Sequence, residues 1–219
     1  MRFLQSAIFA ATLAATSFRP AAADPPADKA APPAPRRRPA NPGVAPGKEQ
    51  SVAELIAALN DPQLGTRREA ARQLGSLGAQ ATPAVPALVT ALKDDKEPAM
   101  RSSAAEALGS LGLTARPAGP ALLAALKDAD PLVRETAAES LADIRADAKT
   151  VVPALVPLLS DTDMNVRCAA AAALGDFGGA AKDAIPDLKK ALKDKHPFVR
   201  EAAADALKAI ERAGRKLDS

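Results

Sequence analysis

Residues 128–144 read DADPLVRETAAESLADI, and this stretch decides the fold because its pattern occurs five times along the chain. The fullest second copy is DKHPFVREAAADALKAI at residues 194–210. Each copy begins with an aspartate and reaches an arginine six residues later, and successive arginines are 34, 33, 33 and 33 residues apart. The aspartates are Asp61, Asp95, Asp128, Asp161 and Asp194, and the arginines are Arg67, Arg101, Arg134, Arg167 and Arg200. A fixed period of this length predicts a stack of five units, each packed only against its neighbours.

Each unit contains two predicted helices. The first carries leucines at a spacing of four, such as Leu122 and Leu126, which form one apolar stripe. Its predicted start is marked by a proline, at Pro86, Pro120, Pro153 and Pro186, because the first helical turn does not need the amide hydrogen that proline lacks. The second helix is predicted to open at Pro98, Pro131 and Pro197, with Asp130 and Asp163 as N-caps.

The second helix follows a fixed pattern after its arginine. The third and fourth positions are always alanine, the seventh is always leucine, and the tenth is Leu, Ile or Phe, which predicts the buried face. The eighth position is Gly or Ala in four units, small enough for the next unit to approach closely, but it is Lys208 in the fifth. Lys208 therefore marks the end of the stack, as the capping box of Ser51 and Glu54 marks its beginning.

These patterns predict an all-α fold, a right-handed α-solenoid of five helix pairs over residues 51–212, followed by a tail at 213–219. The composition agrees, since 47% of the residues are apolar and only 2% are aromatic. Such a core must consist of Ala, Leu, Val and Ile, which suits closely packed helices.

The Asp, Pro, Val-Arg and Ala-Ala pattern of residues 128–144 and 194–210 resembles the short HEAT-like repeat found in bilin lyase subunits and many bacterial proteins. The resemblance covers residues 51–212, although the first unit departs from it with Thr66 for Val and Leu64 for Pro. Tetratricopeptide and ankyrin repeats need Trp and Tyr positions or a Thr-Pro-Leu-His turn, and the sequence has neither. The resemblance implies a concave binding surface and a structural ladder of ion pairs between the repeated aspartates and arginines.

The residues before the repeats have a different character. Residues 1–23 are typical of a secretory signal peptide, with Arg2, an apolar stretch from Phe3 to Phe18 and three alanines that end at Ala23. An uncleaved membrane anchor is the less favoured alternative, because the stretch is short for the about 20 residues of a spanning helix. Residues 24–50 contain eight prolines and almost no large apolar residue, which predicts a disordered linker. We expect cleavage after Ala23 and export to the periplasm or the extracellular space.

The linker also contains three consecutive arginines, Arg36, Arg37 and Arg38. They are expected to be solvated, and contact with an anionic surface is the alternative. The chain has a formal charge of +3, but residues 51–219 contain 22 basic and 23 acidic side chains. The basic character therefore belongs to the leader and the linker, and the repeats are electrically balanced.

The side chains that differ between units are the candidates for a binding site, since a ligand should interrupt the repeat. The first and fifth positions after each arginine are predicted to line the concave face. The resulting set is Arg68, Arg72, Glu106, Glu135, Glu139, Cys168, Ala172, Glu201 and Asp205. Its acidic middle and small fourth unit favour a groove for a basic or mixed protein segment, and an ordinary solvated face of alternating charge is the alternative.

Other classes of function have less support. His196 has no second histidine to complete a common metal site, and Cys168 has no histidine at a matching position to act as a base. Cys168 is expected to fill a half-buried position, with an intermolecular disulfide as the alternative. A nucleic-acid interface requires a basic face, whereas the predicted face is acidic and the lysines of the last unit suit a polar terminal cap.

The sequence therefore predicts an exported, non-catalytic scaffold that binds another protein on its concave face. It is expected to be a monomer that needs no metal, cofactor or nucleic acid and does not insert stably into a membrane after signal cleavage. The alternative is an accessory or regulatory subunit of an enzyme, like the related bilin lyase subunits.

Overall fold

The computed structural model describes residues 50–215. The predicted signal peptide, nearly all of the predicted linker and the end of the predicted tail lie outside these residues. Ten α-helices occur in the described range. They are α1 (Val52–Ala58), α2 (Leu64–Ser76), α3 (Val85–Asp94), α4 (Pro98–Ser110), α5 (Gly119–Ala125), α6 (Pro131–Asp143), α7 (Ala148–Leu155), α8 (Met164–Asp176), α9 (Ile185–Ala191) and α10 (Pro197–Arg215).

Consecutive helices form five pairs, α1/α2 to α9/α10, each containing one copy of the repeated pattern. The second helices α2, α4, α6, α8 and α10 pack against one another in chain order. The predicted all-α solenoid of five helix pairs is confirmed, and no strand is found between residues 50 and 215. None of the helices in this range is long and apolar enough to cross a membrane.

The predicted caps are formed. The amide of Glu54 donates to Ser51 Oγ at 3.3 Å and the amide of Ser51 donates to Glu54 Oε2 at 2.8 Å, so α1 begins with a reciprocal capping box. Asp130 accepts from the amide of Leu132 at the start of α6. Asp163 accepts from two amides at the start of α8. Each cap satisfies amides that the first helical turn leaves without a partner.

The segments between units were not anticipated from the sequence. Three of the connections are 3₁₀ helices, Gly78–Ala84, Gly112–Ala118 and Gly178–Ala184. Each begins with a glycine at positive φ, a backbone conformation that costs glycine little. That residue ends the preceding second helix and turns the chain into the next unit.

The connection between the third and fourth units is different, and the prediction that Pro153 opens a first helix is wrong. Arg145, with φ of 48°, stands where the other connections have glycine. Asp147 then acts as N-cap and α7 begins at Ala148, so Pro153 lies inside the helix. The remainder of this first helix continues as a 3₁₀ segment, Val156–Ser160, which has Pro157 in its first turn.

Small residues form the seam between successive second helices. A Cβ added to Gly75 would lie 3.1 Å from Ala107 Cα, and one added to Gly175 would lie 3.0 Å from Ala206 Cα. The eighth position of one unit thus meets the sixth position of the next. Both ends of the stack carry polar side chains at these positions, Gln73 in the first unit and the exposed Lys208 in the last. The last second helix, α10, continues to Arg215, three residues beyond the predicted end at 212.

Candidate functional site

The repeated arginines connect neighbouring units. Arg101 donates from Nε and Nη2 to the two carboxylate oxygens of Asp128 at 2.8 and 2.7 Å, and from Nη1 to the backbone oxygen of Asp95 at 3.1 Å. The same bidentate arrangement joins Arg67 to Asp95, Arg134 to Asp161 and Arg167 to Asp194. The hydrogen bond from Arg101 is the main cause that lowers the pKa of Asp128. Two parallel charge-assisted bonds fix both distance and orientation between units.

The aspartates of this ladder have a second role. Asp128 also accepts from the amide of Asp130 at 2.9 Å, and Asp95 accepts from the amide of Glu97 at 2.9 Å. Each carboxylate therefore shapes the turn into its own second helix while it holds the arginine of the preceding unit. These contacts use the side chains for architecture and leave them little capacity for a ligand.

The ladder has four rungs for five arginines. Arg200 donates only to the backbone oxygens of Asp194 and Lys195, at 2.8 and 3.1 Å. At the other end, Asp61 accepts from the amide of Gln63. Within residues 50–215, neither Arg200 nor Asp61 has a ladder partner, as expected for the last and first units of a stack.

The first and fifth positions after each arginine occupy different environments. The fifth-position residues Arg72, Glu106, Glu139, Ala172 and Asp205 are all exposed. At the first position only Glu201 is exposed, whereas Arg68, Glu135 and Cys168 are half-buried.

The first position lies close to the seam between units. Arg68 Nε donates to Ser103 Oγ of the next unit at 3.2 Å. The buried Ser102 hydroxyl lies 3.1 Å from the Thr136 hydroxyl. The accessible surface is therefore centred on the fifth position, more narrowly than the sequence pattern suggests.

A cluster of carboxylates lies in the middle of this surface. Glu106, Glu135 and Glu139 were expected, and the structure adds Asp143 and Asp176 at the ninth position of their units. We call these five residues the acidic face. None of the five forms an ion pair with a Lys or Arg in the part of the chain that the structure describes.

The carboxylates of the acidic face influence one another. Partial desolvation, followed by repulsion from Glu135, Asp143 and Glu106, raises the pKa of Glu139 to about 7. Desolvation also raises the pKa values of Glu135, next to Asp163, and of Asp143, next to Asp176. The Glu139 side chain nevertheless retains access to solvent. We therefore attribute its altered titration to crowding by protein atoms and carboxylates around an accessible group, not to enclosure in the core.

The ends of the same surface are closer to neutrality. Arg72 forms an ion pair with Glu69, and Lys208 Nζ lies 2.9 Å from Asp205. Apart from the exposed Glu201 on α10, the negative charge of this surface that has no ion pair within residues 50–215 lies on α4, α6 and α8.

Cys168 lies on α8 and His196 lies just before α10. Cys168 is a free, half-buried thiol whose pKa is raised chiefly by desolvation, so it is protonated at neutral pH. Near it on α8, Ala172 is exposed but Ala169 is buried. The amide of His196 donates to Asp194, which places this residue in the turn before α10. Among residues 50–215, no group of His, Cys, Asp and Glu is arranged to hold a metal ion.

A shallow cavity of about 480 Å³ lies between the fourth and fifth units. Its lining residues include Leu159, Arg167, Lys193, Asp194 and Lys195. Because Arg167 and Asp194 already form a rung of the ladder, we assign the cavity to the gap beside that rung.

Comparison with known families identifies the repeats. The model of the HEAT repeats family matches residues 46–118 and 119–208, which together make up most of the chain. The chain belongs to the HEAT repeat family. The resemblance found in the repeated Asp, Pro and Val-Arg pattern is thereby confirmed.

Solved structures similar to this HEAT repeat protein include the complex of CpcE and CpcF of phycocyanin lyase from Nostoc sp. PCC7120, with 32% identity and a TM-score of 0.67. That match covers 82% of this chain and 71% of the other. An engineered protein matches with 27% identity and a TM-score of 0.58, over 76% of this chain and 86% of the other. A designed armadillo repeat protein in complex with the peptide (KR)4 shares the fold, with 21% identity and a TM-score of 0.60 over 73% of this chain and 81% of the other. A search of curated proteins gave no match.

Proposed function

We propose that this HEAT repeat protein is an exported, non-catalytic scaffold whose acidic face binds a basic segment of another protein. The observation that carries the proposal is the group of five carboxylates on α4, α6 and α8 that lack a counter-ion within the described residues. The family supplies an extended surface built from repeats, and the charge of this surface specifies the chemistry of the partner.

The electrostatics of the face support a cationic partner. Like charges placed together oppose one another, and the raised pKa values of Glu135, Glu139 and Asp143 reflect desolvation together with that repulsion. Lysine or arginine side chains of a partner would supply the missing counter-charge. Exposed ion pairs contribute about 0.2–1 kcal/mol each, so several must act together and the binding must weaken with salt.

The spacing of the carboxylates suits an extended segment. Packed helices lie about 8–10 Å apart, which separates Glu106 on α4 from Glu139 on α6 by one such step. A polyproline II segment advances about 3.1 Å per residue with three residues per turn, so every third side chain points the same way about 9 Å further on. The preferred partner therefore has Lys or Arg at every third position.

Export is part of the proposal and rests on the sequence of residues 1–23, with residues 24–50 as a spacer between the cleavage site and the repeats. A second candidate function is an accessory subunit of an enzyme, favoured by the likeness to the complex of CpcE and CpcF. Both functions require a protein partner, and they differ in whether that partner is an enzyme whose activity depends on this chain.

The proposal is tested with a defined peptide, Lys-Pro-Pro repeated four times, and a control of equal composition with its four lysines adjacent. We expect isothermal titration calorimetry to show binding of the first peptide and weaker binding of the second. Replacement of Glu106, Glu135 and Glu139 by Gln should weaken the first interaction by about threefold to a hundredfold, since three ion pairs of about 0.2–1 kcal/mol each are removed.

The matched control variant carries Asp94→Asn, Asp183→Asn and Glu211→Gln. These exposed carboxylates lie outside the acidic face, and their removal changes the net charge equally. Equal loss in both variants would mean that net charge alone attracts the peptide and would refute a defined surface. Affinity capture from envelope and medium fractions with the parent protein and both variants then identifies the natural partner, and an enzyme retained only by the parent favours the accessory-subunit function.

A further inference from the structure

A second charged feature runs along the segments that connect the units. The fifteenth position after the ladder arginine is Thr82 in the first unit but Arg116, Lys149 and Lys182 in the next three. Arg116 and Lys182 lie in 3₁₀ segments and Lys149 lies in the first turn of α7. All three are exposed, as is Arg145, which stands just before α7. We call Arg116, Arg145, Lys149 and Lys182 the basic row.

The basic row is continuous along one edge of the stack. The 3₁₀ segment Gly78–Ala84 packs against Gly112–Ala118, and α7 packs against Gly178–Ala184. Between them, Arg116 Nε donates to the backbone oxygen of Arg145 at 3.0 Å. The connecting segments thus form a layer of their own, in which one or two cations follow each other from unit to unit.

The most unusual apolar side chain of this edge lies beside the row. Leu113 is 58% exposed, although a leucine is ordinarily withdrawn from water. It lies three residues before Arg116 in the segment Gly112–Ala118. Residues three apart share one face of a 3₁₀ helix, so the side chains of Leu113 and Arg116 lie on the same side of this segment.

The counter-charges of this edge are few. Asp147 and Asp183 lie on the same segments as the row, but Asp147 is engaged as the N-cap of α7. None of the four cations forms an ion pair with a carboxylate in the part of the chain that the structure describes. The edge therefore retains net positive charge, in contrast to the acidic face.

We propose that the basic row and Leu113 form a peripheral docking surface for an anionic lipid membrane. Cations close to an anionic bilayer are attracted by its surface potential, while an exposed leucine gains by entry into the headgroup region. A nucleic-acid backbone would use the cations but leave Leu113 in water. The surface would hold the scaffold on a membrane while the acidic face remains available to a protein partner.

The test is sedimentation of the protein with vesicles of phosphatidylcholine alone and with vesicles that contain anionic phosphatidylglycerol. We expect binding to the anionic vesicles only, and its loss as salt is added, since screening shortens the range of the attraction. Replacement of Arg116, Lys149 and Lys182 by Gln should weaken binding at least about tenfold. The matched control replaces three exposed lysines on α9 and the following turn, Lys189, Lys193 and Lys195, by Gln. This control should bind the anionic vesicles as the parent protein does.

The apolar part of the proposal is tested by Leu113→Ser, for which we expect about fivefold weaker binding. Its control is Leu132→Ser, which alters a leucine that is 48% exposed at the start of α6. Absence of binding to anionic vesicles at low salt would overturn the proposal, as would equal losses in the two lysine and arginine variants. Unchanged binding of Leu113→Ser would overturn the lipid assignment. Binding of a duplex oligonucleotide, without binding to vesicles, would assign the row to nucleic acid instead.

Discussion

Arg116 holds the backbone of Arg145 through a 3.0 Å hydrogen bond from its Nε to the Arg145 carbonyl oxygen. Among residues 50–215, Arg145 is the one non-glycine residue with a positive φ, 48°. It occupies the position that Gly78, Gly112 and Gly178 have in the other connections. A non-glycine side chain in this left-handed region costs about 1–2 kcal/mol. The hydrogen bond from the preceding unit helps to retain this conformation.

Arg145→Gly should therefore increase the free energy of unfolding by about 0.5–1 kcal/mol. The steric penalty disappears, while the greater freedom of glycine in the unfolded chain offsets part of the gain. Urea unfolding followed by circular dichroism measures the change. Arg145→Ala removes the same side chain and keeps the penalty, so it should give no increase, and equal stabilisation by both variants would contradict the steric explanation.

The ladder predicts that equivalent arginines differ in importance. Arg134→Ala removes both bonds to the half-buried Asp161 and two bonds to backbone oxygens, and should lower the free energy of unfolding by about 2–4 kcal/mol. Arg200→Ala removes only the backbone bonds and should cost about 1 kcal/mol. Denaturant unfolding of the two variants is the measurement. Equal losses would show that the carboxylate contacts contribute little.

The seam between second helices predicts opposite effects for two glycines. Gly175→Ala places a Cβ 3.0 Å from the backbone Cα of Ala206. The strain should exceed the about 1 kcal/mol that alanine contributes in a helix, giving a net loss of about 1–2 kcal/mol. Gly65→Ala in α2 meets nothing within 4 Å and should increase stability by up to about 1 kcal/mol. Thermal melts of both variants test this, and stabilisation by Gly175→Ala would show that the seam can separate without cost.

Much of this fold could be predicted from the sequence, because each unit repeats the same pattern of buried and helix-capping residues. The alanines and the leucine after each arginine mark the buried face, and Ser51, Asp130 and Asp163 mark helix starts, because these patterns act locally. The connections could not be predicted as well, because the start of the helix before Pro153 depends on Asp147 and on the strained backbone of Arg145. The sequence pattern predicted three of the five residues of the acidic face. Asp143 and Asp176 are visible in the sequence, but which positions reach solvent depends on the rotation of each helix against its neighbours.

The acidic face and the ladder predict two separate dependences of stability on pH. The pKa of Glu139 is raised to about 7 in the folded chain from an ordinary value of 4.5. Between these values the folded state binds more protons than the unfolded state. Its contribution to stability is therefore complete below about pH 4.5 and declines as pH rises through about 7. Asp128 and Asp194 have lowered pKa values owing to their bonds with Arg101 and Arg167, so their contribution is lost only as pH falls below 3.8.

Glu139→Gln should reduce the decline between pH 4.5 and 7, to which Glu135 and Asp143 also contribute, and leave the loss at lower pH unchanged. The effect should be smaller than the shifted pKa alone implies, because solvent reaches the side chain and screens its interactions. The measurement is the melting temperature of parent and variant at half-unit steps from pH 3 to 8. Glu211→Gln, an exposed carboxylate outside the acidic face, is the control and should follow the parent curve. A parent curve that rises steadily from pH 4.5 to 7, or a Glu139→Gln curve parallel to it, would show that desolvation and repulsion at Glu139 are too weak to act on folding.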